Sequence, residues 1–195
     1  MHSMTLLPEG YGQILEVNLQ KDKKTATLIN VLGVLLMALM GVPMHFVIPI
    51  STLFDMSRGL VFYFLRLGVL MIGYVLYIIA HEETHAVVMR HFGAKKVRFG
   101  FTGMYAFAGS EEDYFDKHAY IRVALAPLVV WGVILTVLCL IVPRDWFWVV
   151  YAIQIGNVAG AMGDLYVTFQ FAKLPADILV RDTGIDMTVY SRETP

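Results

Sequence analysis

The sequence predicts a membrane all-α fold: four transmembrane helices, with a short β-hairpin at the cytoplasmic side between the second and third. Three observations lead there. Of 195 residues, 57% are hydrophobic and only 16% charged, with a mean hydropathy of +0.63, well outside the balance of soluble domains. A bilayer span needs about 20 mostly apolar residues, and four stretches reach that length: Leu28 to Ile50, Leu60 to Met89, Ile121 to Val142 and Trp146 to Phe171. Between the second and third, the pattern switches to strand-like alternation.

Lys21, Lys23 and Lys24 stand just ahead of the first span. The mixed polar and apolar residues before them are too many and too varied for a cleaved signal peptide. Lysine and arginine collect in cytoplasmic loops. With the N-terminus inside, the inner segments hold Lys21, Lys23, Lys24, Arg90, Lys95, Lys96, Arg98, Lys117, Arg122, Lys173, Arg181 and Arg192. The outer loops hold Arg58 and Arg144, with Arg66 near the outer end of the second span. This bias predicts a multi-pass protein of the cell membrane with both termini in the cytoplasm.

The hairpin is expected at about residues 95–109. Val97, Phe99 and Phe101 alternate with Lys96, Arg98 and Gly100, and Gly103 suits a turn. A free strand edge there takes an extended peptide by strand addition; a plain connector resting on the membrane is the other reading. The acidic run Glu111, Glu112, Asp113 and Asp116 reads most simply as a solvated loop.

The net charge of -1 lacks the basic face that nucleic acid requires, so no such partner is expected. Cys139 is the sole cysteine, which excludes an intramolecular disulfide and a cysteine metal cluster. Any metal must be held by histidine and carboxylate.

Such groups occur where they are most costly. At the inner end of the second span, His81, Glu82 and His85 form H-E-x-x-H. On a helix this sets two imidazoles one turn apart on one face, fit for one zinc, with the glutamate placed to take a proton from water at the metal. Random placement of the residues gives roughly 0.006 occurrences of the pattern in this chain. Ionisable groups inside a span are expensive and seldom lack a partner or a role. Solvated histidines capping the helix at the interface are the alternative. Glu83 points off the metal face, and His91 reads as interfacial.

A catalytic zinc usually takes three protein ligands and leaves one position for water. Asp164, isolated in the apolar fourth stretch, is the expected third. It lies about 9 residues from the inner boundary near Lys173, roughly 13 Å at 1.5 Å per residue, a depth matching that of His81 and His85 below Arg90. Gly156, Gly160 and Gly163 precede it and would let helices pack closely. Asn157, two turns before Asp164, either hydrogen-bonds a substrate carbonyl or oxyanion or links helices through its amide.

These residues carry a resemblance. His81-Glu82-x-x-His85 in a membrane helix, a strand-rich loop after it, Pro127 early in the next span and Gly163-Asp164 in the last resemble the site-2 protease class of intramembrane zinc metalloproteases. More closely, the opening "LPEGYGQILEVNL" and the end "GDLYVTFQFAKLPADILVRDTG" resemble a bacterial family of small zincin membrane peptidases, long catalogued as a domain of unknown function. The resemblance covers nearly the whole chain. It implies zinc held by His81, His85 and Asp164, Glu82 as general base, and a four-span core. The proline that commonly precedes the ligand aspartate in site-2 proteases is absent here.

The expected whole is one membrane-embedded metalloprotease domain over residues 1–195. It would hydrolyse membrane-spanning or membrane-associated proteins near the cytoplasmic face. Its partners would be that substrate, the lipid bilayer and a regulatory membrane protein. The rival from another class is a non-catalytic membrane protein with a structural or transport metal site. A scaffold without metal is a further rival.

Overall fold

The computed structural model describes residues 3–103 and 105–192. The chain divides into two compact units, one of Met1–Ile29, His81–Ala126 and Gly163–Pro195, the other of Asn30–Ala80 and Pro127–Met162.

Among the described residues, three helices are long and apolar enough to cross a membrane: α1 (Lys23–Val47), α2 (Leu60–His91) and α3 (Lys117–Ile141). Only 11% to 17% of the residues in their most apolar windows are buried. Side chains such as Val61, Phe46 and Leu140 are more than four-fifths exposed. That surface is costly in water and costs nothing against lipid tails. These are the helices of a multi-pass membrane protein.

The fourth stretch departs from the expected single span over 146–171. It forms a 3₁₀ turn at Arg144–Trp146, then α4 (Phe147–Gly160) and α5 (Met162–Ala172). At Ala161 the backbone turns to ψ 8°, with its N–H shared between the carbonyls of Asn157 and Ala159. Gly160 and Gly163 flank the break, and glycine is a poor helix former. Asp164 then falls in the first turn of α5, where a carboxylate suits the helix dipole.

The all-α expectation is also corrected, because the chain builds a six-stranded antiparallel sheet. The hairpin forms as β3 (Arg98–Phe101) and β4 (Ala106–Asp116), with Phe99 opposite Ala108 and Gly100 opposite Phe107. Gly103 takes the left-handed φ of 87° that the turn requires. Beyond it, β4 continues through the acidic run, which corrects the expectation of a solvated loop there. Glu111 and Glu112 pair with Arg98 and Lys96. Asp113 is buried and accepts the Ser110 hydroxyl at 2.6 Å, and Asp116 caps α3 through the Ala119 amide at 2.8 Å.

Four further strands come from the chain's flanks: β1 (Ser3–Met4), β2 (Tyr11–Val17), β5 (Leu179–Asp182) and β6 (Met187–Arg192). The order is β1-β4-β5-β6-β2, with β3 also on β4. Val180 and Val189 face each other across β5 and β6. Both are fully buried in a core with Phe115, Val123, Phe171 and Met89. Lys117 ties the start of α3 to the end of α5, donating to the carbonyls of Ala172 and Leu174 at 2.9 and 2.6 Å.

In the other unit, Gly156 lets α4 approach α2: a β-carbon there would stand 2.5 Å from the Tyr74 ring. Gly160 and Gly163 have open space instead, so only one of the three glycines serves close packing. Tyr151 and Trp148 donate to the carbonyls of Met40 and Ile48 at 3.1 and 2.9 Å. These bonds satisfy their polar atoms among apolar neighbours.

Candidate metal centre

His81 and His85 lie one turn apart near the end of α2, and α5 presents Asp164 to both. Asp164 Oδ2 stands 3.5 Å from His81 Nε2, and its Oδ1 stands 3.6 Å from His85 Nε2. One donor atom from each residue lies within 4.8 Å of the other two. The rings of His81 and His85 meet edge to face, 5.0 Å between centroids. All three residues belong to one compact unit.

The donor set fits zinc. Donors held at roughly 2.0–2.2 Å by a tetrahedral ion stand about 3.4 Å from one another, close to both measured separations. At 3.5 to 3.6 Å the same pairs are too long for good hydrogen bonds, so they are better placed to share an ion than to bind each other. Two imidazoles and a carboxylate are a ligand set of catalytic zinc, with a fourth position left for water.

The other nitrogen of His85 has a partner of its own. His85 Nδ1 lies 2.9 Å from the Val123 carbonyl, which only accepts, so Nδ1 carries a proton and the neutral ring would offer its Nε2 lone pair on the side of Asp164. His85 is 8% exposed, and that burial keeps water from competing for the bond.

Glu82 is partly buried beside these three side chains. Its carboxylate lies within electrostatic reach of His81, His85 and Asp164 and near the Ala108 amide of β4. The hairpin strand therefore borders the acid. Glu83, one residue on, is exposed and pairs with Arg90 at 3.0 Å. His91 packs edge-on against Phe92.

Asn157 belongs to the other unit and is fully buried. Its Oδ1 accepts the Tyr77 hydroxyl at 2.9 Å, and its Nδ2 reaches the Leu128 carbonyl at 3.3 Å and Gln154 Oε1 at 3.4 Å. These contacts are those of a polar link between helices.

Missed from the sequence is a further buried acid. Asp182 on β5 accepts the Tyr120 hydroxyl at 2.7 Å and the Gly184 amide at 2.7 Å. Burial pushes its carboxyl up to about 6, against the pull of those two bonds. The Val123 carbonyl was missed as well, although Pro127, four residues later, is a signal for a helix carbonyl left without its amide.

A family model described as "putative zincin peptidase" matches residues 74–179. Neither a curated protein nor a solved structure matches the chain.

Proposed function

Because the chain belongs to that zincin peptidase family, we propose that it is an intramembrane zinc metalloendopeptidase of the site-2 protease kind, cleaving membrane-spanning or membrane-associated proteins near the cytoplasmic face. The observation that carries this reading is the meeting of His81, His85 and Asp164 within 4.8 Å, with the Glu82 carboxylate within electrostatic reach.

A zinc ion held by those three side chains would supply Lewis acidity, making water more acidic and a carbonyl more electrophilic. Glu82 is the general base: a carboxylate oxygen takes a proton as water adds to the scissile carbonyl carbon. It returns that proton to the nitrogen as the C–N bond breaks. Val123 holds His85 in place, and Lys117 anchors the far end of the helix that carries Asp164.

The Ala108 amide of β4 beside Glu82 supports a substrate lying along the hairpin as an extended strand, since strand addition presents backbone carbonyls that a helix shelters. For Asn157 to bind substrate, its amide would have to exchange the Tyr77 bond for a substrate group. The lysine and arginine bias supports a cytoplasmic opening, and the partners are the substrate, the bilayer and a regulatory membrane protein.

The test uses zinc-loaded protein in liposomes with a panel of single-span substrates, cleavage being read by mass spectrometry. The expected result is cleavage by the native chain and none by Glu82→Gln with its zinc retained. Zinc bound by both but cleavage by neither, across the panel and in cells compared by their membrane-protein termini, would favour the non-catalytic metal protein.

A further inference from the structure

Helix α3 contains Pro127, and the carbonyl four residues before it is that of Val123. In an unbroken helix this carbonyl accepts the N–H of residue 127. Proline has no N–H, and its ring crowds the carbonyl at i−4. The Val123 carbonyl accepts His85 Nδ1 instead, at 2.9 Å. Pro127 is less than 2% exposed.

We infer that Pro127 is a positioning residue for the metal centre: by withholding one helix hydrogen bond it reserves the Val123 carbonyl for His85. That bond fixes the Nδ1–H tautomer and turns Nε2 toward His81 and Asp164. The inference rests on the metal site of the proposed function and adds a residue that touches neither metal nor substrate.

Stability separates this role from a mere bend. Among ordinary residues proline is the poorest helix former, so a proline kept only for shape is one whose loss would loosen the packing. A proline kept to free a carbonyl is one whose loss would strengthen α3 and weaken the metal site. The two roles predict opposite changes in stability.

The experiment measures zinc affinity by chelator competition, and metal-free melting temperature, on the full chain in detergent. Pro127→Ala returns the N–H; Pro127→Val does the same with a different side chain, in case one variant folds poorly. An ester at position 127, with lactic acid replacing alanine, lacks the N–H as proline does. We expect zinc affinity about 10- to 100-fold lower in Pro127→Ala and Pro127→Val, the size of a lost ligand-orienting partner. Their melting temperatures should be equal to or above that of the native chain, and the ester should restore affinity.

Native affinity in both amide variants would overturn the inference while leaving the metal site standing. So would an ester as weak as alanine, since the ring would then matter and the missing N–H would not. A native chain that binds no zinc would remove the metal site itself, and this inference with it.

Discussion

Asp164 faces His81 across 3.5 Å, carboxylate oxygen to imidazole nitrogen, although 83 positions part them in the chain. Neither side chain gives the other a good hydrogen bond at that distance, whereas two ligands of one tetrahedral zinc stand about that far apart. Purified protein should carry near one zinc per chain by elemental mass spectrometry. His81→Ala, His85→Ala and Asp164→Ala should each lose it. Zinc retained at full stoichiometry in any of the three would remove that residue from the ligand set.

Glu82 and Glu83 are adjacent yet belong to different faces of α2. Glu82→Gln should lower turnover about 10²- to 10⁴-fold, the usual weight of a general base, with zinc content unchanged. Glu83→Gln loses an exposed pair with Arg90, and such pairs contribute about 0–1 kcal/mol, so its turnover should be native. Equal losses in both would mean that the acid at 82 has no special role.

Asp182 sets a pH dependence. Its folded carboxyl, raised to about 6 from the ordinary 3.8, keeps a proton that the unfolded chain releases at lower pH. In the metal-free protein this contribution to stability is full below about pH 4 and is lost as pH rises to about 6, then stays lost. At about 1.4 kcal/mol per pH unit the effect is about 3 kcal/mol at most. Melting curves at pH 4.5 and 7 should show that Asp182→Asn is less pH-sensitive than the native chain. An identical slope in both would mean that Asp182 titrates as an ordinary surface acid.

Gly156 and Gly160 should respond oppositely to alanine. At Gly156 a β-carbon meets the Tyr74 ring at 2.5 Å, and overpacking of this kind costs about 1–3 kcal/mol. At Gly160 nothing lies within 4 Å, and Gly→Ala there should be neutral or stabilising by up to about 1 kcal/mol. Thermal unfolding in detergent reads both. Destabilisation by Gly160→Ala would point to a neighbour that the glycine accommodates.

The Tyr77 hydroxyl bonded to Asn157 is a buried polar link among apolar helices. Tyr77→Phe leaves Asn157 Oδ1 without that donor and should cost about 1–3 kcal/mol. A native melting temperature in Tyr77→Phe would show that Asn157 finds another partner.

The sequence by itself determined the membrane character, the helix bearing H-E-x-x-H, and the hairpin with its turn at Gly103. Each is a local signal: length and hydropathy for a span, a period near 3.6 for a helix face, a period of 2 for a strand. It also singled out Asp164, because an isolated acid in an apolar run, at the depth of the histidines, is conspicuous without any fold. Only the tertiary structure decided the rest. The strands at the flanks are short, and β2 finds its partner β6 some 170 residues away, a pairing that no local pattern encodes. The break at Ala161 hinges on one residue's backbone angles, which hydropathy along the stretch does not register. The same holds for Asp182, an ordinary acid until Tyr120 and the sheet enclose it. Asn157, equally open as substrate ligand or helix link, took its contacts from Tyr77, 80 positions away. Periodicity and composition report what a residue is next to in the chain; burial and hydrogen bonding depend on what it is next to in space.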